Sequence, residues 1–152
     1  MSPIEIVERF ARAAESADGS ALARCFTADG VYHDGFYGAF HGPSGIRAFL
    51  EEYVYRDSER MRWTYSDIAG SGNLIYAKYL FSYSSKLAGK EGQRVHFQGV
   101  SQFRMKGDLI ERYWEVFDSG MALAQLDFAP ERIRKVLSRA NEAFLRTVPA
   151  DH

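Results

Sequence analysis

Asp34 is the first group in this chain whose setting could give it chemistry. It ends the run Val31-Tyr32-His33-Asp34 and is followed by the loop Gly35-Phe36-Tyr37-Gly38-Ala39-Phe40-His41-Gly42. A carboxylate among aromatic rings either reaches water or is desolvated with its pKa raised. In the second case it suits general-base work near neutral pH. The competing role is a cap on the loop that starts at Gly35. Asp118, before Ser119-Gly120, is a second candidate acid/base group, and its competing role is a turn or helix cap.

The other reactive types offer less. Cys25 is the single cysteine and reads as a small buried hydrophobe. Ser101 has no histidine placed to activate it, so a nucleophilic role is remote. His41 lies in the loop before a helix and could line a cavity mouth or simply face solvent. His33 and His96 fall on outward strand positions. With no ligand spacing among histidines and no cysteine cluster, neither a metal nor a cofactor is expected.

The elements that must position these groups follow from periodicity. Ser2-Pro3-Ile4-Glu5 is a capping-box start, and Ile4, Val7, Phe10, Ala11 and Ala14 recur at helical spacing to about Ala17. Asp18-Gly19-Ser20 then caps a short helix, Ala21 to Phe26. A third helix starts at Gly42-Pro43, carries Ile46, Phe49, Leu50 and Tyr53 on one face and ends near Tyr55. Four strands are predicted at roughly Arg62–Ala69, Leu74–Ser85, Arg94–Lys106 and Leu109–Asp118. Ala129-Pro130-Glu131 opens a last helix with the stripe Ile133, Val136, Leu137, Ala140, Phe144 and Leu145.

Strand alternation sorts the faces. Ile75, Ala77, Tyr79, Phe81 and Tyr83 share one side, as do Val95, Phe97, Gly99, Ser101 and Phe103. Tyr32 goes with Asp34. On the last strand the pattern leaves the inward set open, and we place Trp114 and Asp118 inward. The expected ligand-contacting set is therefore Tyr32, Phe36, Tyr37, Phe40, His41, Phe49, Tyr53, Tyr79, Phe81, Tyr83, Phe97, Ser101 and Trp114, with Asp34 and Asp118 as acid/base groups. So many tyrosine and tryptophan tips want partners when buried, which a lined cavity supplies more readily than a solid core.

The helix, the pattern from Phe26 through Asp29, Val31 and Asp34, and the loop leading to Gly42-Pro43-Ser44-Gly45-Ile46-Arg47-Ala48-Phe49 resemble the front of a nuclear-transport-factor-2-like domain. Within that superfamily the chain is most similar to the SnoaL-like polyketide cyclases and the ketosteroid isomerases. The closing strand Ile110–Asp118 matches as well, so the likeness runs to about Leu126. It implies an α+β fold: a cone-shaped, curved mixed β-sheet covered by N-terminal helices and enclosing a cavity, here with an extra C-terminal helix. It divides the chain into a cone domain, residues 1–128, and a helical extension, 129–152, packed on the domain or on a dimer partner.

The resemblance aligns Asp34 with the proton-shuttling aspartate of ketosteroid isomerases. The positions of that family's two enolate-stabilising donors hold Phe10 and Gly99 here, and neither can donate from a side chain. Losing one such donor costs about 3–4 kcal/mol of transition-state stabilisation, so steroid isomerisation in that form is not expected. SnoaL-like cyclases need only an acid/base aspartate acting on an already acidic carbon. The function implied is binding of a small apolar, carbonyl-containing ligand, with isomerase or cyclase-type lyase chemistry through Asp34. The alternatives are a non-catalytic ligand-binding domain and a protein-interaction module.

Bulk properties bound the rest. A chain of 152 residues makes one domain with a sizeable core, and 19 basic against 20 acidic residues leave no nucleic-acid footprint. No membrane span or signal pattern is read, and a cytoplasmic setting is expected. His96, Gln98, Val100, Gln102 and Arg104, with Tyr76 and Leu80, form an outer sheet face through which related domains commonly pair, so a homodimer is expected.

Overall fold

A computed structural model describes residues 1–152. The first helix, α1 (Pro3–Glu15), begins as the sequence predicts. Ser2 Oγ accepts from the Glu5 N–H at 3.3 Å, and the Ser2 N–H donates back to Glu5 Oε2 at 2.7 Å. Both groups would otherwise be orphan donors of the first turn. Its buried face is Ile6, Val7, Phe10, Ala11, Ala13 and Ala14, while Ile4 lies in the first turn and is exposed. The second helix, α2 (Gly19–Ala23), is capped by the Asp18 side chain and sits slightly earlier than its apolar residues suggest.

Strand β1 spans Phe26–Asp34, and β2 (Gly38–His41) folds back on it in an antiparallel hairpin, Tyr32 opposite Phe40. Four residues rich in glycine and aromatics give little strand signal, so the sequence reads this piece as loop. Helix α3 (Gly42–Ala48) continues through a widened π-helical turn, Phe49–Val54, into the short α4 (Tyr55–Asp57). The turn buries both Phe49 and Leu50. Strands β3 (Ser58–Ser71), β4 (Leu74–Ser85), β5 (Arg94–Lys106) and β6 (Leu109–Phe117) then meander antiparallel. β3 starts four residues before the predicted Arg62, because its partner Ser84-Ser85 extends the ladder that far.

The sheet order is β2-β1-β6-β5-β4-β3. β1 and β6 run parallel, with Tyr32 beside Tyr113, which makes the sheet mixed. The helices cover one face, as an α+β domain requires. At its centre Phe10 packs on Tyr113, with centroids 4.7 Å apart, and on Phe103 at 5.2 Å. Cys25 lies buried in this core, and burial pushes its thiol pKa up, as befits a hydrophobe rather than a nucleophile.

Helix α5 (Ser119–Gln125) and helix α6 (Pro130–Leu145) complete the chain. Gln125 ties α5 to the sheet beyond the end of β6. Its amide accepts from the His96 N–H at 2.9 Å and donates to the His96 carbonyl at 2.6 Å, continuing the ladder with a side chain. Helix α6 has no fully buried residue, and Leu137, Phe144 and Leu145 of its stripe are exposed. No helix is long and apolar enough to cross a membrane.

Candidate functional site

Between the inner sheet face, the π-helical turn and α5 lies a cavity of about 270 Å³. Its wall is aromatic: Tyr32, Phe36, Tyr37, Phe49, Trp63, Phe81, Tyr83, Phe97 and Phe117. Asp34 and Glu115 line it as well, and Leu123, Leu126 and Phe128 close it from the C-terminal side.

The two carboxyls come from adjacent parallel strands. Tyr32 and Tyr113 are neighbours in the ladder, and Asp34 and Glu115 each follow two residues on, on the same inner face. The carboxyls line the same cavity, close enough for the charge of Asp34 to act on Glu115. Glu115 is buried, and its Oε2 accepts from the Tyr79 and Tyr113 hydroxyls, each at 2.9 Å. Tyr113 is in turn linked to Ser101 Oγ at 2.9 Å, and Ser101 to the Tyr65 hydroxyl at 3.3 Å. Desolvation, reinforced by the charge of Asp34, pushes the Glu115 pKa up to about 8. Desolvation also raises Asp34, against the pull of its backbone donors. Both carboxyls are thus pushed toward the protonated form.

Asp34 has a second duty. Its Oδ1 accepts from the backbone N–H groups of Phe36 at 2.8 Å and Tyr37 at 2.9 Å, fixing the loop that carries those rings. Gly35 between them cannot be enlarged, since a Cβ there would run into the Phe117 ring. The Tyr37 hydroxyl donates to Asp57 at 3.0 Å, and Asp57 is paired with Arg56 at 2.6 Å. Trp63 presents a buried indole N–H with no acceptor in the fold.

Gly99 explains how the tyrosines reach Glu115. A Cβ on Gly99 would lie 2.6 Å from the Tyr79 hydroxyl, so the phenol occupies the space a side chain at this position would fill. The residue that cannot donate thereby makes room for one that can.

Of the residues the sequence nominates, Asp34, Tyr32, Phe36, Tyr37, Phe49, Phe81, Tyr83 and Phe97 line the cavity. Tyr79 and Ser101 lie behind it in the network that supports Glu115. Phe40 and Tyr53 pack on each other at 5.0 Å outside the wall, and His41 is an exposed residue at the start of α3. Trp114 and Asp118 are corrections. Cross-strand pairing puts Trp114 opposite Gln102 on the outer face, 42% exposed. Asp118 is exposed and its side chain accepts from the Met121 N–H at 2.9 Å, capping α5. Glu115, Trp63 and Phe117 are the residues missed. Choosing the inward set on β6 from its pairing with Ser101 would have found the first and last.

Residues 7–113 match the SnoaL-like domain. No curated protein matches the sequence. Solved structures share the fold. A protein of ketosteroid isomerase-like fold from Catenulispora acidiphila, in complex with trimethylamine, is 22% identical with a TM-score of 0.73, over 83% of this chain and 98% of that one. IdmH of Streptomyces antibioticus, assigned as a polyketide cyclase, is 20% identical with a TM-score of 0.69, over 84% and 100%. An epoxide hydrolase of LEH-like type from M. tuberculosis is 17% identical with a TM-score of 0.67, over 82% and 88%.

Proposed function

The chain belongs to the SnoaL-like domain family, and on that premise we propose that its cavity binds a compact, largely apolar carbonyl compound and shuttles a proton at the carbon beside the carbonyl. The observation that carries this is the Asp34–Glu115 pair at an aromatic wall, two carboxyls on adjacent strands with Glu115 held by two tyrosine hydroxyls. Proton abstraction next to a carbonyl needs a base and a donor for the developing enolate oxygen. Asp34 supplies the base. Glu115 supplies an acidic hydrogen. Tyr79 and Tyr113 serve by holding Glu115 in place rather than by meeting the ligand. This is isomerase or cyclase-type chemistry without a cofactor. The volume of about 270 Å³ restricts the ligand to a small ring system.

The bonds from Phe36 and Tyr37 to Asp34 favour a second reading, in which the carboxylate is structural and the cavity only binds. Asp34→Asn separates the two, since the amide oxygen can still cap the loop. Exchange of α-hydrogens of a small aryl ketone into deuterated water, followed by NMR, is the assay. On the catalytic reading the variant loses about 10²–10⁴-fold in exchange rate with ligand affinity nearly unchanged. Equal exchange rates for wild type and variant would reject it.

The outer sheet face is proposed as a homodimer contact. Tyr76, Leu80, Val100, Trp114 and Val116 stand exposed there in adjoining strands, an apolar area that a soluble monomer rarely leaves open.

A further inference from the structure

Four charged side chains line the cavity: Asp34, Asp57, Glu115 and Arg132. Three are accounted for. Asp57 is paired with Arg56 and accepts from Tyr37, Glu115 accepts from two tyrosine hydroxyls, and Asp34 accepts from the loop backbone. Arg132 is different. It comes from the first turn of α6, reaching the cavity with Val136 one turn on, and no ion pair or hydrogen bond holds it. Its guanidinium lies over the Phe128 ring, 4.1 Å from the centroid. Stacking on a ring occupies the flat face of a guanidinium and leaves its N–H edge free, the edge that matches a carboxylate with two parallel bonds.

We propose that Arg132 reads an anionic group on the ligand, so that the compound taken up is a small aromatic or alicyclic carboxylic acid whose carboxylate sits at α6 while its apolar body fills the aromatic wall. This rests on the reading of the cavity as a binding site. A single carboxylate fits better than a phosphate, because the lining holds no second cation for a second charge. A cationic amine fits worse, since Arg132 would oppose it. The arrangement also gives α6, which buries none of its own side chains, a role at the rim of the site.

The test uses three probes of one shape: 2-naphthoate, its neutral amide 2-naphthamide, and 2-naphthyltrimethylammonium, titrated calorimetrically at low ionic strength. The wild-type protein should bind the naphthoate about five- to tenfold more tightly than the amide, and added salt should shrink that margin. Arg132→Gln should make the two equal without changing the affinity for the amide. Arg132→Lys should keep part of the preference. Equal affinities in the wild type, a preference that survives Arg132→Gln, or tightest binding of the ammonium compound would overturn the assignment while leaving a binding cavity. Failure of all three probes to bind would overturn both this inference and the reading it rests on.

Discussion

Glu115→Gln should turn a pH-sensitive protein into a less sensitive one. Moving a carboxyl from 4.5 to about 8 corresponds to about 5 kcal/mol of preference for the protonated form in the folded state. The sign is the reverse of the usual carboxylate case. Below about pH 4.5 the acid is protonated in both states and costs nothing. As pH rises from there to about 8, the unfolded chain gains by ionising while the folded one cannot. Stability contributed by this group therefore falls with pH, at up to about 1.4 kcal/mol per pH unit, and is fully lost above the folded pKa. Asp34, also raised, acts in the same direction. A glutamine keeps an acceptor for the Tyr79 and Tyr113 hydroxyls but does not titrate. Urea unfolding between about pH 5 and about pH 9 is the assay. Wild type should lose several kcal/mol across that range, whereas the variant should lose much less and be the more stable protein at the alkaline end. Parallel profiles for the two proteins would refute the reasoning, as would a carbon-13 titration placing Glu115 near 4.5.

Gly99→Ala should destabilise the fold by about 1–3 kcal/mol, because the new methyl meets the Tyr79 hydroxyl and the Val116 carbonyl, and thermal melting should show it. Asp118→Ala should cost about 1 kcal/mol through loss of the α5 cap and leave ligand binding untouched, which a melting curve and a titration together establish. Leu80→Arg combined with Trp114→Arg should convert a dimer to a monomer in sedimentation, with fold and cavity retained. A wild-type monomer at micromolar concentration would reject the interface.

Much of this architecture is legible in the chain because its strands alternate cleanly. On β4 and β5 one parity is richer in aromatic and small residues and the other carries the Lys, Arg, His and Gln side chains, so Tyr79, Phe81, Phe97 and Ser101 fall on the inner face by pattern alone. β6 defeats the same argument. Tyr113 and Phe117 on one parity are no more apolar than Trp114 and Val116 on the other, and only the register with β5 decides between them. A glutamate in such a strand is assigned to solvent by default, which is why Glu115 escapes notice. Its burial is tolerated through the Tyr113 phenol two residues away and through Tyr79 and Asp34, which lie far away in sequence. Asp118 misleads for the opposite reason: it sits at a strand end, where an aspartate serves an active site and a helix cap equally well in composition.

The parallel contact between β1 and β6 sets when during the life of the chain the site can exist. β1 leaves the ribosome early, yet its ladder partner is the last strand to be made. Until β6 arrives, Asp34 has no partner acid, Tyr79 has no carboxylate to hold, and the inner edge of β1 stands unpaired. Closing so long a loop is entropically costly and slow compared with forming the β3–β4–β5 meander, whose neighbours are joined by short turns. The meander should thus form first and act as the template on which β6 and then β1 are laid down. Proton-handling chemistry would appear in one step at the end of folding, and a chain cut short before Leu109 would own most of the aromatic wall but only one member of the acid pair, Asp34.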